Sequence, residues 1–134
     1  MGAAVGAALR AAGHNVVWTS EGRSAATRRR AEGAGLHDLG SVEEVARASE
    51  VLFSVCPPHA AVDVARSVAG SGGVYVDANA ISPQTAREIA RIIGPGYVDG
   101  GIIGPPPVRA GTTRLYLSGA RAGEVAAAFA GTPL

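Results

Sequence analysis

Short β-branched runs closed by turn residues alternate with helical stretches from the start of this chain to Gly94, and that alternation restricts it to an α/β architecture with a mostly parallel sheet. Val51 to Val55 is a continuous apolar run stopped by Pro57 and Pro58, and Val74 to Val76 is another, ended by Asp77. Runs without polar alternation read as strands covered on both faces, as parallel strands are. Residues 15–19 form an earlier strand, Tyr97 and Val98 open a later one, and Leu115 to Leu117 makes the last. Between them lie helices. Val5 and Leu9 stand four apart in an Ala-rich stretch that stops at Gly13, and Ser24 caps a helix running to about Gly33. Ser41 with Glu44 has the spacing of a capping box, and Ala60 to Val68 is helical. Ser82 and Pro83 start a helix that ends at Gly94, and Gly123 to Phe129 forms a final one.

The first element is itself informative, because Met1 and Gly2 lead straight into a helix with no strand before it. In a dinucleotide-binding βαβ unit a first strand ends in G-x-G-x-x-G, and the glycines make the turn and let backbone approach the pyrophosphate. Gly2 stands where the last of those glycines would be. The expected fold is therefore a Rossmann-type, mostly parallel sheet flanked by helices and lacking its first strand. Residues 1–134 are expected to be one incomplete domain, with the first strand and a C-terminal helical domain outside them. That strand is central in such a sheet, so its loss would expose two inner edges. The 134-residue chain alone is expected to be poorly stable. Cooperative unfolding of the purified chain at ordinary temperature would refute this.

Composition removes several classes of function. A hydrophobic fraction of 47% suffices for a buried core, while a net charge of +1 leaves no electrostatic footprint for nucleic acid. The densest basic run, Arg28-Arg29-Arg30, lies in a helical pattern rather than among aromatics. All 12 basic residues are arginine, so lysine chemistry is excluded within this chain. One cysteine excludes an internal disulfide and fits a reducing compartment, and no apolar stretch reaches the ~18 residues of a membrane span. No membrane partner is expected, and the cytoplasm is the default location. His14, His37 and His59 have no metal-ligand spacing, so no metal site is expected. Cys56 and His59 invite a nucleophile and base pairing, against which stands the commoner small buried cysteine before prolines.

Four stretches carry a family resemblance: Met1-Gly2 with Ala12-Gly13-His14; Cys56-Pro57-Pro58; Asp77-Ala78-Asn79-Ala80-Ile81-Ser82-Pro83; and Asp99-Gly100-Gly101-Ile102-Ile103-Gly104-Pro105-Pro106. In this order they resemble the cofactor domain of the β-hydroxyacid and 6-phosphogluconate dehydrogenase superfamily. The resemblance implies an NADP-binding domain of an oxidoreductase that transfers hydride between NADP(H) and a small hydroxy or oxo compound, with NAD as the other possible cofactor. The last stretch also looks like the D-G-A-I-M-x-P-P segment of imine reductases, which share the fold and use NADPH. An imine-reductase-like enzyme is thus one alternative; a non-catalytic nucleotide-binding module, or a gene fragment without independent function, is another.

The resemblance also implies site residues. Gly2 would face the pyrophosphate at a helix N-terminus. Arg23 and Ser24 resemble the Arg-Thr pair of NADP-preferring members, with Ser20 sharing the phosphate, while Glu21 argues for NAD. Cys56, Pro57 and Pro58 would line the crevice wall, and Asn79 takes the place of the family's serine near the nicotinamide. Ser82 is otherwise a helix cap. Gly101, Ile103 and Gly104 fall in the substrate segment, where Ile103 replaces a serine and offers no side-chain donor. The family's catalytic lysine lies beyond this domain, so no catalytic residue is assigned. Tyr97 and Asp99 are the adjacent donor groups, each with a structural reading beside it. A small-molecule substrate is implied, and a homodimer only for a longer form, because family dimers pair through the helical domain.

Overall fold

Side-chain hydroxyls set where three helices begin. Ser24 accepts from the Thr27 amide, Ser41 from Glu44 and Ser82 from Thr85, each satisfying a donor that has no partner inside the first turn. The computed structural model describes residues 1–134. Its elements run α1 (Gly2–Ala11), β1 (Val17–Trp18), α2 (Ala25–Gly33), β2 (His37–Asp38), α3 (Val42–Ala48), β3 (Val51–Ser54), α4 (Ala61–Ser67), β4 (Val74–Asp77), α5 (Pro83–Ile93), β5 (Tyr97–Ile103), β6 (Arg114–Ser118) and α6 (Ala122–Ala128).

The strands form two sheets. β1 and β2 make a parallel pair, and β3-β4-β5-β6 follow in sequence order, parallel except for the antiparallel β5–β6 edge. Alternation along the strands builds a three-layer sandwich. Leu52 and Tyr75 point to one face and pack with Ala46, Ala61, Ala65, Val68 and Ile89 of the α3–α5 side. Val74, Val76 and Val98 point to the other face and pack with Val5 of α1 and with Val125 and Phe129 at α6. This is the expected α/β, mostly parallel architecture. β2 does not appear in the sequence pattern, and β5 extends five residues beyond Val98, from Asp99 to Ile103, with β6 as its partner.

No strand lies between β1 and β3. Val74 N–H donates to Glu50 O and Ala78 N–H to Ser54 O, so the even-numbered positions of β3 face β4. In a parallel ladder alternate residues bond to opposite sides, which turns the backbone groups of Val51, Phe53 and Val55 away from β4. His37 and Leu39 amides bond to Val16 O and Trp18 O, so the backbone of Val17 likewise faces away from β2. These two unpaired edges line a common cavity of about 920 Å3. Hydrogen exchange should report the parity directly. The amides of Leu52 and Ser54 should exchange at least about tenfold more slowly than those of Val51 and Phe53. Equal protection at all four would contradict the edge assignment.

Candidate functional site

The cavity runs from Asn15, Ser49 and Glu50 at the amino ends of β1 and β3 to Thr19, Arg23, Cys56 and Pro57 beyond their carboxyl ends. In open α/β sheets, ligands bind in the crevice outside those carboxyl ends. α1 begins there. Its first amides, at Gly2 and Ala3, have no carbonyl one turn back to bond, so they and the positive end of the helix dipole are free for an anion. A Cβ at Gly2 would meet Val55 Cβ at 3.5 Å, an ordinary contact. Packing on β3 therefore does not demand glycine at this position.

The cationic side of the cavity comes from the loop after β1 and from the start of α2. Arg23 of the loop lines it together with Thr27 and Arg30, which stand three apart on one side of α2. None of Arg23, Arg28, Arg29 and Arg30 forms an ion pair with a carboxylate, although five other pairs form elsewhere. Arg30 instead donates to Thr27 Oγ1 at 3.0 Å, and Arg28 to the Arg23 carbonyl at 3.3 Å. The nearby acids are engaged. Glu21 Oε2 accepts from the Val42 amide at 3.0 Å, at the N-terminus of α3. Asp38 Oδ1 accepts from the Ser20 amide at 3.0 Å and the Gly40 amide at 2.9 Å. Hydrogen bonding by the Ser20 side chain, then by the Gly40 amide, holds the Asp38 carboxyl below its ordinary pKa.

Beneath the crevice wall, the ends of β3 and β4 are joined by polar contacts. Asn79 Oδ1 accepts from the Cys56 amide at 2.6 Å, and Nδ2 donates to Ser54 Oγ at 3.1 Å. Asn79 N–H donates to Asp77 Oδ1 at 3.0 Å, while Asp77 Oδ2 is buried without a partner. β5 comes close at this level, where a Cβ at Gly100 would stand 3.0 Å from the Asp77 carbonyl. Tyr97 donates to Asp99 Oδ1 at 3.2 Å, and burial, with Asp99 adding to it, raises the Tyr97 pKa, so the phenol keeps its proton.

Among the residues singled out in the sequence, Gly2, Arg23, Cys56 and Pro57 share the cavity lining. Ser20, Ser24, Pro58, Asn79, Gly101, Ile103 and Gly104 are not part of it. Ser24 is occupied as the α2 cap, and Asn79 lies under Cys56. Gly101 and Ile103 lie on the part of β5 that runs past the end of β4, with Ile103 65% exposed. Gly104 turns the chain at a φ of 128°, against the Thr112 carbonyl, where no side chain fits. Cys56 and His59 form no hydrogen bond; the thiol lies 3.7 Å from Ser54 Oγ. His14 Nε2 bonds the Ala128 carbonyl at 2.7 Å and ties the α1–β1 turn to α6. Asp38, Thr27 and Arg30 escaped the sequence reading. The three-residue spacing of Thr27 and Arg30 on α2 was the available signal for the last two.

No protein-family profile matches the chain. It is 33% identical over 86 residues to an uncharacterized 28.5 kDa protein of Methanothermus fervidus, covering 63% of this chain and 34% of that one. Among solved structures it superposes at a TM-score of 0.83 and 31% identity on a protein of unknown function described as structurally similar to 3-hydroxyacid dehydrogenases, covering 93% of this chain and 48% of that one. It also superposes at 0.74 and 25% identity on the Streptomyces aurantiacus imine reductase, covering 93% and 47%. The chain thus spans about a third of the relative and about half of each of these structures. It has the fold of a β-hydroxyacid dehydrogenase-like NAD(P)-binding domain. No helix is long and apolar enough to cross a membrane.

Asp77 provides a test of the buried polar layer. Desolvation dominates and pushes its pKa up, with Asp99 adding to the rise and bonds from Asn79 opposing it. A carboxyl whose folded pKa exceeds the unfolded value stabilises fully below the unfolded pKa, and that contribution is lost as pH rises through the folded value. Relative to the natural chain, Asp77→Asn should therefore gain stability as pH rises from about 4, the unfolded carboxyl's value. Urea unfolding at a series of pH values measures it. A pH-independent difference would contradict the raised pKa of the buried carboxyl.

Proposed function

We propose that this chain is the NADP(H)-binding domain of an oxidoreductase. The observation that carries the reading is the set of arginines without carboxylate partners, Arg23 and Arg30 among them, at the carboxyl end of β1. A 2′-phosphate needs that cationic environment, whereas the ribose diol of NAD needs a carboxylate acceptor. Glu21 and Asp38 are each tied through one oxygen to backbone amides, Glu21 at the start of α3 and Asp38 at Ser20 and Gly40.

The residues present fit the cofactor in parts. Arg23, with Thr27 and Arg30, would hold the 2′-phosphate; the first amides of α1 would meet the pyrophosphate; and Cys56 and Pro57 would form the wall. The bound cofactor supplies hydride chemistry. The chain's own contribution is to bind and orient. In the whole protein hydride would pass between the cofactor and a small compound, hydroxy as donor or oxo as acceptor, and a homodimer would belong to a longer form. A second reading, reduction of C=N bonds, is supported by Ile103, an exposed apolar side chain in the segment where the resemblance implies a serine donor for a carboxylate substrate.

Trp18, the single tryptophan, lines the cavity and reports occupancy. NADPH should quench its emission and bind about tenfold more tightly than NADH, the amount one charge-assisted phosphate contact supplies. Arg23→Ala should remove that preference and leave NADH affinity unchanged. Equal affinity for the two cofactors, or no quenching by either, would sink the assignment.

A further inference from the structure

We propose that Asn79 is a positioning residue, whose side-chain amide fixes the backbone at Cys56 and so sets the crevice wall. This inference rests on the NADP(H)-binding reading. Cys56 is followed by Pro57 and Pro58, which have no N–H, so the Cys56 amide is the last backbone donor until His59. Asn79 Oδ1, 23 residues away in sequence, accepts that donor at 2.6 Å. The orientation of Asn79 is fixed in turn. Its Nδ2 donates to Ser54 Oγ at 3.1 Å, its own amide donates to Asp77 Oδ1 at 3.0 Å, and the residue is only 6% exposed.

The chemistry at this position is specific. A carboxamide presents one acceptor and one donor on a single rigid plane, two bonds from Cβ. A serine hydroxyl sits one bond closer to the backbone and cannot span to both partners. Leucine has nearly the same shape and offers neither group. Aspartic acid keeps the acceptor toward Cys56 in either protonation state, and when ionised its second oxygen accepts from the Ser54 hydroxyl. The titratable groups around this point are Asp77 and Asp99, Tyr75 and Tyr97, and the Cys56 thiol.

Cys56 is the only cysteine, so its reaction with dithiodipyridine reads the wall without any cofactor. Rates are taken relative to N-acetylcysteine at the same pH, which cancels the intrinsic titration of a thiol. Asn79→Leu should raise the rate about tenfold and weaken NADPH by a similar factor, the effect of losing a buried hydrogen bond. Asn79→Asp, which keeps an acceptor for the Cys56 amide, should not share that rise in rate. An unchanged rate in Asn79→Leu overturns the proposal, and so does an equal rise in both variants. If Asn79→Leu does not fold, Ser54→Ala frees the Asn79 amide and should raise the rate about threefold. No change there is equally fatal. If the thiol rates behave as expected while the natural chain ignores NADPH, the cofactor reading fails and the positioning role stands.

Discussion

The shared register of β3, β4 and β5 governs this structure. Ser54 pairs with Asp77, and Asp77 with Asp99, so three polar residues arrive level, at the carboxyl ends of β3 and β4 and within β5. A slip of one residue would exchange the two faces of a strand and move Leu52 and Tyr75 out of one core while removing Phe53 and Val76 from the other. The apolar alternation thus fixes the register, and the register fixes the polar layer. Gly100 allows β5 to approach β4 at that level, where a side chain would press on the Asp77 carbonyl. Asn79 follows two residues after Asp77 and finds both Ser54 and Cys56 within reach because the strands end together.

The space between β1 and β3 has the opposite character. Its lining is mostly apolar, yet the backbone groups of Val17, Val51 and Phe53 face it without ladder partners. A backbone group deprived of any partner costs about 1–3 kcal/mol, so this region depends on water or on a further strand to satisfy it. At its carboxyl end the same opening meets the arginines of the β1–α2 loop. Apolar walls, a helix N-terminus and guanidinium groups without carboxylate partners meet at one crevice. That combination suits a dinucleotide whose rings are apolar and whose phosphates are anionic.

Much of the fold was legible because local chemistry agreed with tertiary need. Ser24, Ser41 and Ser82 cap the helices that their spacing announces, and Val51 and Val74 open strands where β-branched runs begin. β2 was not legible. It is two residues long, His37 and Asp38, with both side chains exposed, and leaves no hydrophobic period to read. The length of β5 was hidden by Gly100 and Gly101, which pair with Leu117 and Tyr116 without side chains of their own. At the candidate site, Arg23 could be picked out as a free loop cation. The fates of Glu21 and Asp38 could not, since each depends on which backbone amides the fold brings near. The bond from Cys56 to Asn79 is of the same kind. It joins two segments that only the strand register makes neighbours.

The most direct measurement is an amide chemical-shift map of the labelled chain as NADPH is added. Shifts should concentrate at Gly2, Ser20, Arg23, Thr27 and Cys56, at the carboxyl ends of β1 and β3, and leave β6 undisturbed. Shifts confined to β6, or a spectrum that does not change, would contradict a dinucleotide site in this crevice.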